Sequence, residues 1–312
     1  MAARFPYTCE SARLLRPAAA PAPREDQPEK EGIMSTTQNT PDRDLKPEAV
    51  LAEATAARGD IFPEWKVLAY AAPQTYHLVT RTGGYFHKYR GEGSDEQQLS
   101  VQMRELIATP ALCSKNDLRH SPNHIRRMYR MGMTNAVIME GAVAFSVASG
   151  WATIANVGYA IMEANNPAYP FGELPAGGEP RELTPFPELA LGRKRAGGSD
   201  GESLLDAPEW RYAAEIDPEF ARRARAWVDH CLLAEGAGEA LLGPGPRELI
   251  VIAALCTRGE ADLAARHIRR AYDYGMTRRQ VLEAISSIVP MTGMISAELG
   301  LRAMQAAESA KA

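Results

Sequence analysis

No two cysteines in this chain lie close enough to form a Cys-x-x-Cys motif. The four present (Cys9, Cys113, Cys231 and Cys256) are scattered over 312 residues. That scatter excludes a dithiol motif or zinc knuckle built on close cysteine spacing, and it fits a reducing, cytoplasmic compartment. Aromatic residues make up only 7% of the chain, and the Ala-rich aliphatic segments favour helices over a β-sandwich. No uncharged apolar run approaches the roughly 18–20 residues of a membrane span. Positive charge is not in surplus either: 35 Lys and Arg stand against 39 Asp and Glu, a net charge of −4. Neither nucleic acid nor an anionic membrane surface is therefore an expected partner. The first 33 residues lack the continuous apolar segment of a signal peptide. Rich in Pro, Ala and charge, they read as a disordered tail, taken as residues 1–43, or as an extension upstream of a start at Met34.

What the chain does contain is a repeat. Shifted by 143 residues, Arg104-Glu105-Leu106-Ile107 falls on Arg247-Glu248-Leu249-Ile250, and Ala111-Leu112-Cys113 on Ala254-Leu255-Cys256. At the same offset His124-Ile125-Arg126-Arg127 falls on His267-Ile268-Arg269-Arg270, and Gly132-Met133-Thr134 on Gly275-Met276-Thr277. Tyr129, Glu140 and Gly150 match Tyr272, Glu283 and Gly293. One shared offset over so many positions reads as an internal duplication. The expected organisation is a first module over 44–164, a Pro- and Gly-rich linker or ordered wrap over 165–216, and a second module over 217–312.

Each copy reads as helix, turn, helix, turn, longer helix. Ser121-Pro122 has the pattern of an N-cap followed by a first-turn proline. Gly132 and Gly275 fall where a helix would end in the left-handed conformation. Thr134 and Thr277 follow as N-caps, the latter with Gln280 as a capping box. Long helices are expected over about 135–163 and 278–308, with short ones over 47–58 and 63–71 upstream.

Glu105 and His124 are 19 residues apart, as are Glu248 and His267. The midpoint of each pair falls in a polar break between two helices. In an antiparallel hairpin, residues equidistant from the turn lie level, so each carboxylate can orient its imidazole and raise its pKa. A structural Glu–His or Glu–Arg contact kept by duplication fits the spacing equally well.

These residues resemble the carboxymuconolactone decarboxylase and alkylhydroperoxidase-like family, whose members show Arg-Glu-Leu, an apolar run, a His before a short basic helix, then Gly-x-Thr and another helix. The likeness covers about 75–165 and 218–308. It implies an all-α fold of two tandem alkylhydroperoxidase-like modules, assembling into a homo-oligomer, here a trimer of tandem chains. The family's peroxidase members carry Cys-x-x-Cys before the His. The corresponding positions here are Asp117 and His120 in one copy and Glu260 and Leu263 in the other. Thiol chemistry is therefore disfavoured, and the resemblance implies a cofactor-free carboxy-lyase acting on a small carboxylated lactone or enol metabolite. His124, Glu105, His120, His267 and Glu248 are the candidate catalytic residues. Arg126, Arg127, Asp117 and Asn123 are candidates for binding the substrate.

A second reading makes Glu105, Asp117, His120 and His124 a carboxylate and imidazole metal site. Ser121-Pro122 breaks regular helical presentation between the two histidines, and Leu263 replaces His120 in the second copy, so no metal is expected. The first copy is the richer in polar groups around its His and is the expected working half. Two further functions fit the same residues, a hydroperoxide reductase and a non-catalytic small-molecule binder.

Overall fold

The computed structural model describes residues 45–59, 61–88, 96–169, 178–192, 207–233 and 240–309. The expected tail and parts of the 165–216 linker lie outside them. Every regular element among the described residues is a helix. Six helices have proline as their first residue: α1 (Pro47–Arg58), α2 (Pro63–Ala71), α3 (Pro73–His87), α8 (Pro208–Ile216), α9 (Pro218–Leu233) and α10 (Pro244–Arg258). Proline costs nothing there, because the N–H it lacks would have no partner inside the helix. The remaining helices of the first copy are α4 (Val101–Ser114), α5 (Ser121–Arg130), α6 (Asn135–Ser149) and α7 (Ala152–Ala164). Those of the second are α11 (Ala261–Asp273), α12 (Arg278–Ser287), α13 (Val289–Thr292) and α14 (Met294–Ser309).

Two helices form the centre. Met103 to Cys113 of α4 and Pro244 to Cys256 of α10 are buried without interruption, as befits helices surrounded on all sides. Around them the two copies interleave: α6 packs on α10, and α12 packs on α4. One continuous core results, running from Leu99 to Ala307.

Charge bridges tie the copies together reciprocally. Glu283 of α12 accepts from the backbone N–H of Leu99 at 2.7 Å and from Arg104 Nη2 at 2.6 Å. Glu140 of α6 accepts from the N–H of Leu242 at 2.8 Å and from Arg247 Nη2 at 2.5 Å. Each arginine also donates Nε to the carbonyl five residues before it, Leu99 for Arg104 and Leu242 for Arg247. Residue i of one copy meets residue j of the other, and j meets i, which is the pattern of a two-fold interface.

The left-handed helix ends fall where the sequence puts them, with Gly132 and Gly275 at φ +77° and +92°. A side chain at Gly132 would also strike Thr184, whose N–H donates to the Gly132 carbonyl at 2.8 Å. Thr277 and Gln280 form the expected capping box.

Three expectations need correction. The long final helix of each copy is broken, at Gly150 in the first and at Ile288 and again at Gly293 in the second; φ is +88° at Gly150 and +85° at Gly293, and only glycine adopts such angles without strain. Ser121 opens α5 rather than capping it, and its hydroxyl donates to the Asp117 carbonyl, with His120 at the N-cap. Within the expected linker, residues 208–216 form α8. Residues 178–192 wrap the body, burying Phe186 and holding Ser100 through Glu188, which accepts from its N–H at 2.8 Å and its hydroxyl at 2.6 Å.

Candidate active site

α4 and α5 form an antiparallel hairpin around the turn at 115–120, and this brings Glu105 level with His124. Glu105 is fully buried, with Oε2 2.7 Å from His124 Nδ1 and Oε1 accepting from Arg127 Nη1 at 2.6 Å. Burial alone would raise its pKa, but the Arg127 guanidinium and the His124 imidazole hold it well below the usual carboxylate range. An ionised Glu105 can only accept, so His124 Nδ1 carries the hydrogen and Nε2 is the nitrogen left to exchange a proton.

The second copy repeats the arrangement. His267 Nδ1 lies 2.5 Å from Glu248 Oε2, and Arg270 Nε donates to Oε1 at 2.8 Å. Glu248 is likewise buried; burial pushes its pKa up, and His267 and Arg270 bring it below normal. The spacing of 19 therefore yields a Glu–His contact and a Glu–Arg contact together in each copy.

Access separates the two. His124 is 13% exposed and lines a cavity of about 610 Å³, whereas His267 is 1% exposed. The polar part of the cavity lining is His87, Lys115, Asp117, His120 and His124. Its apolar wall comes from α2 and α3 and, across the copy boundary, from Val289, Pro290 and Met291 of α13. The reason for the difference lies in the helix that precedes each hairpin. Arg104 Nη1 donates to the Phe86 carbonyl and Arg247 Nη1 to that of Cys231, which aligns α3 with α9. Counted along the helices, Leu232, Val228 and Trp227 stand where α3 has His87, Gly83 and Thr82. Large apolar side chains thus stand at these positions of α9, and Val228 and Leu232 are buried.

The other candidates divide. His120 lines the cavity but is held at both ring nitrogens: Nδ1 is 2.8 Å from Asp117 Oδ1 and Nε2 is 3.0 Å from Glu64 Oε1. The hydrogen bond to Asp117 leads the effects that raise its pKa, so it favours the imidazolium. Asp117 lines the cavity and serves His120, which lowers its pKa against the opposing effect of burial. Arg127 serves Glu105. Arg126 is placed elsewhere: it is buried, donates Nε to the Ala164 carbonyl at 2.9 Å and Nη2 to Asn166 O at 3.2 Å, and stacks 4.6 Å from the Tyr169 ring centroid. It clamps the end of α7. Asn123 sits in the first turn of α5, outside the cavity wall. Sequence reasoning does not assign His87 to the site and misses Lys115 and the α13 wall. His87 is 2% exposed, with its ring centroid 6.1 Å from that of His124.

Cys113, Cys231 and Cys256 are buried free thiols. Burial pushes Cys113 up to about 11 and the other two to about 12. Among the described residues, no three His, Cys, Asp or Glu side chains are disposed to hold a metal ion. The donors proposed for one are turned on each other, His124 on Glu105 and His120 on Asp117 and Glu64.

The family model described as "Carboxymuconolactone decarboxylase family" matches residues 202–306. The matched segment holds the sealed Glu248–His267 pair, and the open Glu105–His124 pair lies before it. One similar solved structure is the crystal structure of a "putative gamma-carboxymuconolactone decarboxylase subunit" from Burkholderia xenovorans LB400. It is 19% identical, with 86% of this chain and 99% of that one covered and a TM-score of 0.48. No curated protein matches the chain. No described helix is long and apolar enough to cross a membrane.

Proposed function

We propose that the chain is a tandem carboxymuconolactone decarboxylase-type carboxy-lyase, using His124 as its acid–base group on a small carboxylated lactone or enol. The observation that carries this reading is the His124 ring, oriented at Nδ1 by a buried carboxylate and bordering a cavity of about 610 Å³. Such a carboxylate fixes the tautomer and stabilises the imidazolium, as the third member does in a catalytic triad.

In the reaction, the bond between the substrate carbon and its carboxylate breaks and carbon dioxide leaves. The electron pair stays on the carbon skeleton as an enolate. Protonated His124 delivers the proton from Nε2 to carbon, and solvent restores it. Glu105 and Arg127 remain charged throughout. His267 keeps the same buried partners but is sealed from solvent, so the second copy serves as support.

A hydroperoxide reductase would need a thiolate, and burial holds the thiols of Cys113, Cys231 and Cys256 in their neutral form. The test is ultraviolet turnover of a lactone-acid panel beside a hydroperoxide assay with a thiol reductant. Carbon dioxide release without peroxide consumption is the expected result. Thiol-dependent peroxide consumption alone would overturn the reading.

A further inference from the structure

The cavity's charge and shape narrow the substrate further, granted the decarboxylase reading above. Of the cations around it, Arg127 is bound to Glu105, and Arg119 holds Glu64 through Nε at 2.8 Å and Nη2 at 3.2 Å. His120 is flanked by Asp117 and Glu64. Among the described cavity residues, Lys115 is the cation without a carboxylate partner. It is exposed at the C-cap of α4 and lines the cavity together with His124. One unmatched positive charge suits one anionic group. A second carboxylate would lie against the apolar wall or beside Glu64 and Asp117, and either position is costly.

The apolar part of the lining is partly open. Trp65, Leu78 and Val79 line it while remaining 37%, 47% and 39% exposed, and Met291 closes it from the second copy. A cavity of this size falls within the roughly 300–1,000 Å³ that encloses drug-sized ligands. A compact lactone diacid would leave much of that wall wet.

We propose that the site takes a monoanionic keto-acid or enol-acid with a bulky apolar body, its charge facing Lys115 and its body against Leu78, Val79 and Met291. The charge count holds through the reaction. A monocarboxylate loses neutral carbon dioxide and becomes a monoanionic enolate, so a single lysine faces one negative charge before and after the bond breaks. The proton that His124 then delivers to carbon discharges it.

Binding can be read without turnover, which separates this proposal from the decarboxylase reading. Calorimetric titration with 2-naphthoate, adipate and 2-naphthamide compares a bulky monoanion, a compact dianion and a neutral isostere. Naphthoate should bind at least tenfold more tightly than adipate. Lys115→Gln should weaken naphthoate at least tenfold while leaving naphthamide within about twofold, and Met291→Ala should weaken both naphthyl ligands. Adipate binding as tightly as naphthoate would overturn the substrate class even if His124-dependent decarboxylation is found. An unchanged naphthoate affinity in folded Lys115→Gln would overturn the role of the lysine.

Discussion

At the scale of single residues, what matters is which ring nitrogens are already engaged. His124 has one nitrogen held by Glu105 and borders a cavity, His267 has the same partner and no comparable access, and His120 is held at both nitrogens. His124→Ala should therefore lower kcat by about 10²–10⁴, the usual range for removing an acid–base group. His267→Ala should act mainly on stability, because it strands the buried Glu248 with one partner fewer. Steady-state rates and thermal melts of both variants check this; a larger rate loss from His267→Ala would assign the chemistry to the other half. His120 has a separate signature. Its folded pKa is raised above the 6.5 of an unperturbed histidine, so its stabilising effect is complete below that value and is lost as pH rises through the folded pKa. The Tm gap between wild type and His120→Asn should be widest near pH 6 and should narrow on the alkaline side; a gap that widens with pH would contradict the imidazolium assignment. The pairing of Glu105 with His124 was legible from the spacing of 19. The fates of Arg126 and Arg127 were not. Neighbours on a helix point about 100° apart, so one clamps α7 and the other meets Glu105, a choice made by tertiary packing rather than by residue type.

At the scale of elements, proline carried much of the signal: 47–58 and 63–71 begin and end in the structure where the sequence put them. The breaks at Gly150 and Gly293 were hidden because single glycines are tolerated within helices, and nothing local marks the positive φ. The cavity wall was hidden for a different reason, since α3 and α13 line one cavity only through packing of the two halves of the chain. That packing is fixed by the exchanged bridges of Glu283 with Arg104 and Glu140 with Arg247. Removing one partner of a buried pair typically costs about 3–5 kcal/mol. Glu283 is 5% exposed and Glu140 21%, so solvent can better compensate the loss at Glu140. Glu283→Gln should therefore cost more stability in urea melts than Glu140→Gln. The reverse order would mean that burial does not set the strength of these bridges.

At the scale of the whole molecule, the exchanged bridges relate the two halves of the chain reciprocally, as they would be related in a dimer of single modules. An assembly of three chains would then place six modules in a ring. The surface offers the adhesive for it. Trp151 and Met294 occupy equivalent positions after the two helix breaks, at the 143-residue offset, and are 71% and 68% exposed; Ile295 beside them is 74% exposed. Scattered apolar side chains are ordinary on a surface, but large ones at matching positions of two copies suit a closed ring with repeated contacts. We propose that the chain forms a homotrimer through these faces. Multi-angle light scattering at micromolar concentration should give three times the 34.0 kDa chain mass. Met294→Asp with Ile295→Asp should shift the population toward monomer while leaving the helical circular dichroism intact, because both side chains lie outside the core. A wild-type monomer at that concentration would rule out the trimer. A trimer that tolerates both aspartates would move the interface to another face.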